Sequence, residues 1–274
     1  MYKLMLVTRE PGVLAAFEAV NDWEYLGIRA PRILSSFEEA ADSLQRHHVD
    51  AVAVALPREE SDTLTAYLNE HYPLLPILYL DTGDGLRELL AELSRFLGRL
   101  KQDNEDAHYD RSENLRRIRH DYFRRLISGG VKDAPAVRRQ LGLMRSRMDP
   151  GCSCMLMSFR LPENSNEYLA GRWHYGNERL EIAMRNIFGN ELAGMRLLVS
   201  VLEDGRIYLL ACPMLGTHLA NDVSMSDIVT GHAEDAIAHV AEYLGIDMRI
   251  DSVHELPAVT VLADEAVRRS LGIH

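Results

Sequence analysis

No apolar run in this chain is long enough to span a bilayer, which excludes a membrane-crossing helix from the sequence. Met1-Tyr2-Lys3 leads into a strand-like segment, not into the apolar core of a signal peptide, so a cytoplasmic location and no membrane partner are expected. Cysteine is scarce. Cys152, Cys154 and Cys212 form neither a C-x-x-C pair nor a disulfide framework, and they are expected as reduced thiols with no metal bound. Basic residues are outnumbered, 30 Lys and Arg against 41 Asp and Glu, for a net charge of -11. A general nucleic-acid binder normally presents a basic surface, so that class is disfavoured. The chain also lacks a GxGxxG turn, a GxxxxGK(S/T) loop, an HExxH helix and a GxSxG elbow. Those absences close common routes to catalysis, and no cofactor is expected.

What is present reads as two domains, since 274 residues with 47% hydrophobic content can bury two cores. Apolar runs at residues 2–7, 28–34, 49–56 and 77–80 alternate with amphipathic stretches starting at Pro11, Phe37 and Ser61. That rhythm predicts βαβ units and a parallel sheet within residues 1–100. A turn at Asp81-Thr82-Gly83-Asp84-Gly85 follows, and then Leu86, Leu90, Leu93, Leu97 and Leu100 recur at alternating steps of four and three. The spacing fits a heptad seam for a second copy, hence a homodimer. It fits equally a last helix packed on its own sheet, because Leu89 and Phe96 widen the apolar face. Residues 101–130 read as a helical linker, polar up to Asn114 and then patterned by Leu115, Ile118, Tyr122, Leu126 and Ile127 until Gly129-Gly130. Residues 109–148 hold eleven basic residues against four acidic ones, either a phosphate-contacting stripe or solvated helix faces paired with acidic neighbours.

In residues 131–274, Asp133 is placed to cap a helix with Pro135 in its first turn and Val137, Leu141, Met144 and Met148 on its apolar stripe. An apolar strand at 152–159 precedes a helix marked by Leu180, Ala183, Met184, Ile187 and Phe188. Runs at 196–201 and 206–211 flank Leu202-Glu203-Asp204-Gly205, a hairpin signal because Asp-Gly supplies the positive φ of a tight turn. A helix carrying Ile228, Val229, Ala236, Ile237 and Val240 and a strand at 248–253 complete a β-α-β-β-α-β order, the ferredoxin-like α+β arrangement.

Residues 4–11, Leu-Met-Leu-Val-Thr-Arg-Glu-Pro, resemble the first strand and following turn of the bacterial response-regulator receiver domain. Thr8 and Arg9 stand where that family has its metal-binding acidic pair. Residues 50–57 resemble the strand that ends in the phosphoacceptor aspartate, and Ala55 occupies that position. Arg9 would repel Mg²⁺ and alanine offers no carboxylate nucleophile. The family's fifth strand and switch lysine have no counterpart, and Asp81 or Thr82 falls near its hydroxyl switch residue. The resemblance implies a flavodoxin-like pseudo-receiver without phosphorylation chemistry. The layout of the second half resembles the GGDEF domain of diguanylate cyclases, with Glu203-Asp204-Gly205-Arg206-Ile207 at the signature turn and Ser158-Phe159-Arg160 where a metal-binding aspartate belongs. A degenerate domain without a clamp for two Mg²⁺ ions and a triphosphate is implied.

Residues 120–129 and 140–143, Leu256-Pro257 and Ala263-Asp264-Glu265-Ala266 are similar to the corresponding parts of Gram-positive response regulators. In that group a receiver, a linker helix and a degenerate GGDEF-like domain precede an AraC-type helix-turn-helix region. The resemblance implies a non-enzymatic, phosphorylation-independent signalling or transcription-regulatory protein, reaching DNA only through a C-terminal domain absent from this chain. The alternative is a nucleotide or small-molecule binding module, or a residual nucleotide enzyme, using the GGDEF-like domain. Trp173-His174-Tyr175, between Gly171 and Gly176, forms an aromatic loop that either stacks on a ligand ring or packs down its own hydrophobes. His47-His48 reads as a solvated turn, and Glu203-Asp204 as a solvated hairpin tip or a cation holder. His218, His232, His239 and His254 show no spacing that fixes a metal site.

Overall fold

The computed structural model of the chain describes residues 1–82, 85–107, 110–162, 165–217 and 224–273. Gly83 and Asp84 of the expected turn, Tyr109 of the basic stretch and His218 lie outside the described residues. Two compact units emerge, one made of Met1–Arg117 and Arg139–Ser146, the other of Ile118–Arg138 and Arg147–His274. The expected linker, residues 101–130, is therefore divided between the two units at Arg117 and Ile118.

The first unit runs β1 (Tyr2–Thr8), α1 (Pro11–Glu18), β2 (Ile28–Leu34), α2 (Phe37–Arg46), β3 (Ala51–Ala55), α3 (Arg58–His71) and β4 (Ile77–Tyr79). Its four strands form an all-parallel sheet in the order β2-β1-β3-β4. Every residue of β3, and the last five of β1, is buried, which is why both read as continuous apolar runs and not as alternating ones. On one face Met5, Val7, Val52, Val54 and Ile77 pack against Ala40 and Leu44 of α2 and Leu64 and Leu68 of α3. Right-handed crossovers assign α1 to the opposite face. The start of α2 is set locally: Ser36 Oγ accepts the Glu39 N–H at 3.3 Å while the Glu39 carboxylate accepts the Ser35 N–H at 2.8 Å.

After β4 comes α4 (Leu86–Ala107), with no strand between them among the described residues. The polar stretch from Lys101 thus opens as the last turns of α4. Two further helices, α5 (Arg111–Ile127) and α6 (Ala134–Leu143), are each split between the units. Asp133 caps α6 as its position suggests, its Oδ2 accepting the Ala136 N–H at 3.1 Å.

The second unit adds β5 (Cys154–Arg160), α7 (Ser165–Arg172), α8 (Gly176–Phe188), β6 (Glu191–Leu192), β7 (Met195–Val201), β8 (Ile207–Pro213), α9 (Met225–Leu244) and β9 (Arg249–Leu256). A 3-10 turn (Val259–Ala263) and α10 (Glu265–Ser270) follow. The sheet is antiparallel throughout, in the order β6-β7-β8-β5-β9. Met157, Phe159, Leu197, Val199 and Leu209 on one face pack with Leu180, Met184 and Phe188 of α8 and Val229, Ala233 and Val240 of α9. Leu156, Leu198, Tyr208 and Leu210 on the other face are buried as well. The hairpin stands where Asp-Gly placed it, with Gly205 at φ 79. Helix α7 and the two-residue strand β6 are additions the apolar pattern did not reveal, because both are short and mostly polar.

Candidate functional site

In open parallel sheets ligands sit outside the carboxyl ends of the strands, where the connections switch sides. Here that point lies between β1 and β3. Thr8 and Ala55, the last residues of those strands, are register partners and both are buried. Thr8 Oγ1 accepts the Glu10 N–H at 3.0 Å. Arg9 forms an ion pair with Glu60 on α3. Glu38 is held below the usual carboxylate range, first by its own backbone N–H and the Ser36 hydroxyl and more weakly by Arg9. The three residues singled out in sequence are thus brought to one edge of the sheet, and none carries a carboxylate. A cation arriving there meets a guanidinium, and a phosphoryl donor meets a methyl group and a hydroxyl already engaged with backbone.

The spacing of the α4 leucines fits two readings, a seam for a second copy or the face of a helix packed within its own chain. Leu86, Leu90, Leu93, Leu97 and Leu100 are 4, 0, 0, 4 and 3 % exposed within the single chain. Their burial favours the second of these readings. Within the first unit, α4 runs so close to the β1–β2 side that a Cβ on Gly27 would stand 3.4 Å from Ser94 Oγ. Glu92 of α4 also accepts a hydrogen bond from Gln140 of α6.

The aromatic loop is a tight junction between α7 and α8 and not a long loop. Trp173 packs against the core of the second unit and donates its Nε1–H to the Gly176 carbonyl at 2.9 Å. Tyr175 points outward, edge-on to Trp173 and beneath Arg179, while His174 is exposed. At the hairpin tip Asp204 accepts both the backbone N–H of Arg206 at 3.1 Å and its Nε–H at 2.6 Å, so its oxygens are directed inward. Ser158 is hydrogen bonded to Ser252 at 2.7 Å. His232 donates to the Phe188 carbonyl at 2.7 Å and His239 stacks on Tyr243. Among the described residues no three His, Cys, Asp or Glu side chains are grouped to hold a metal. Cys154 and Cys212 are buried free thiols, and burial, with Cys154 alongside, pushes the Cys212 thiol well up.

Three residues of the basic stretch are ion-paired: Arg116 with Glu113, Arg124 with Asp121 and Glu181, and Arg139 with Glu92. A further member, Arg111, lines a cleft. A cleft of about 420 Å³ opens at the amino ends of β3 and β4, lined by Arg46, His47, His48 and Arg111 and backed by Leu44, Val49, Tyr72 and Leu75. Helices α2 and α3 end there, and basic side chains commonly complement such helix ends. Arg46, paired with Asp42 at 2.6 Å, fits that account. Arg111 does not, because it is the first residue of α5, where the helix dipole opposes a cation by about 0.3–1 kcal/mol. It is half-buried, burial pushes its guanidinium below the ordinary value against the pull of Asp50, and its buried Nε has no hydrogen-bond partner among the described residues. Asp50 is engaged elsewhere, accepting the Lys3 N–H at 2.7 Å with its other oxygen 3.4 Å from His48 Nε2. A buried donor left without an acceptor costs on the order of 1–3 kcal/mol, more than the dipole term. The sequence marked His47-His48 as a solvated turn, and both are exposed. Nothing in periodicity could join them to Arg111, some sixty residues away.

A second polar cluster lies within the second unit. Strand β6 pairs with Met195 and Arg196, and the Asn190 carbonyl accepts the Leu197 N–H at 2.8 Å, which leaves the rest of the outer edge of β7 to side chains. His120 Nδ1 donates to the Val199 carbonyl at 2.8 Å, and the Glu181 carboxylate accepts the Val201 N–H at 3.0 Å. Burial raises the Glu181 carboxyl, opposed by the Val201 N–H, Arg124 and Arg185. These groups act as a substitute strand that blunts the edge, a structural duty.

No family model matches the chain, and no curated protein matches it in sequence.

Proposed function

We propose that the chain is a non-enzymatic regulatory protein: a pseudo-receiver unit whose output does not depend on phosphorylation, together with a degenerate GGDEF-like unit. The strand order β2-β1-β3-β4 fits the flavodoxin-like topology of a receiver shortened by its last strand. The order β9-β5-β8-β7, with two helices on one face, fits the ferredoxin-like arrangement. The observation that carries the reading is the pairing of Thr8 with Ala55 at the switch point, with Arg9 and Glu60 joined beside it. Acyl-phosphate formation needs a carboxylate at the strand end with a metal cation beside it; the strand ends here are Thr8 and Ala55, and the nearby Glu60 carboxylate is paired with Arg9. In the regulators the chain resembles, such units act on an AraC-type helix-turn-helix region, so transcription regulation is the role inferred.

The test is incubation of the full chain with acetyl phosphate and Mg²⁺, followed by intact-mass measurement. The expected outcome is no added phosphoryl group. A hydroxylamine-labile phosphoryl adduct mapping to the carboxyl ends of β1 and β3 would overturn the reading.

A further inference from the structure

We propose that the cleft between the C-terminal ends of α2 and α3 and the first turn of α5 binds a small organic oxyanion, a carboxylate or phosphate head on Arg111 with a flat apolar body against Tyr72 and Leu75. The proposal goes beyond the regulatory reading and stands whether or not that reading holds. A volume of about 420 Å³ suits a small molecule of this kind. The guanidinium of Arg111 offers a rigid planar fork of donors that matches a carboxylate or phosphate, and its buried Nε is without an acceptor among the described residues. Helix α5 is seventeen residues long and presents its N-terminal end at the same place, which also favours an anion. His47 and His48 add donors on the rim, while Leu44 and Leu75, both buried, supply an apolar back wall. The opposing charges are the carbonyl ends of α2 and α3 and the carboxylates of Asp50, of Asp110 just before α5 and of Glu113 in its first turn, the last of these paired with Arg116. Asp50 is turned toward the Lys3 N–H and His48, and Arg46 and His47 stand at the end of α2. Among the described residues the buried Nε of Arg111 still lacks an acceptor.

The experiment titrates the isotope-labelled full chain with phenyl phosphate, with benzoate and with inorganic phosphate, following backbone amide shifts by NMR. Saturable shifts confined to residues 44–49, 72–75 and 110–112 are expected with phenyl phosphate, benzoate or both, and the arm that binds tighter identifies the head group. Inorganic phosphate, lacking the body, is expected to bind more weakly. Arg111→Gln should weaken binding roughly tenfold or more, and Arg111→Lys, which keeps the charge but not the fork, by a smaller factor. Saturable binding by neither organic anion, shifts centred elsewhere, or inorganic phosphate binding as tightly as phenyl phosphate would each overturn the proposal. The mapping uses the unaltered chain, so it decides the matter even if a variant fails to fold.

Discussion

Glu181 is a carboxylate held where water is scarce, and its environment converts that into a dependence on pH. Burial raises its folded-state value above the ordinary 4.5, and the Val201 N–H with Arg124 and Arg185 only partly opposes this. The folded chain therefore binds this proton more tightly than the unfolded chain. Stability from this group is fully present below the unfolded value and is lost as pH rises through the folded one. Glu181→Gln retains an oxygen to accept the Val201 N–H and removes the ionisation. Urea unfolding followed between about pH 4 and 7 should show the wild type losing stability relative to the variant as pH rises, and parallel curves would refute the assignment. At this scale the sequence spoke clearly where identity alone mattered. Thr8, Arg9 and Ala55 are non-acidic wherever the chain puts them. Arg111 and Glu181 were silent, because their importance comes from what surrounds them.

Helix α6 shows local propensity and tertiary packing pulling in opposite directions. Its cap at Asp133 and the Val137 and Leu141 part of its expected stripe were legible, but the helix ends at Leu143, before Met144 and Met148, and Met148 instead bridges to Met214. The face that meets the sheet was not legible. A Cβ on Gly142 would stand 2.7 Å from the Ile77 carbonyl oxygen and 2.9 Å from the Tyr79 ring. The glycine lets the helix lie directly on β4. Gly231, inside α9, has nothing within 4 Å of such an atom. Gly231→Ala should stabilise by about 0.5–1 kcal/mol through helix propensity alone. Gly142→Ala should destabilise by roughly 1–3 kcal/mol, since overpacking outweighs that gain. Chemical denaturation of the two variants checks both signs. The leucines of α4 teach the same lesson: a heptad spacing states that one face is apolar and leaves open what covers it.

At the scale of the whole molecule, the two units do not follow chain order, since Arg139–Ser146 belongs with the first unit and Ile118–Arg138 with the second. Within the first unit that return is anchored by Gly142 on β4 and by Arg145, whose guanidinium donates to the Pro73 carbonyl at 3.3 Å and to Asn69 Oδ1 at 2.8 Å. Arg145 holds a left-handed backbone, φ 52, to make those contacts. Cooperative opening should therefore divide inside the helices. In hydrogen exchange measured against rising urea, amides of 118–127 should lose protection together with β7 and β8. Those of 140–146 should lose it together with β1 and β3. Exchange of α6 as one block with either sheet would rule this division out.

Strand and helix periods, capping residues and residue identity are local properties of the chain, so the sequence alone determined the parallel first sheet, the β-α-β-β-α-β order of the four long strands and two core helices of the second, and the non-acidic character of Thr8, Arg9 and Ala55. Contacts between residues tens of positions apart have no local signature. Only the tertiary structure decided that the α4 leucines are core, that α6 returns to β4, that Glu181 and His120 complete the edge of β7, and that Arg111 meets His47 and His48 around a cleft. Periodicity tells a side chain which way to face, and packing alone decides what it finds there.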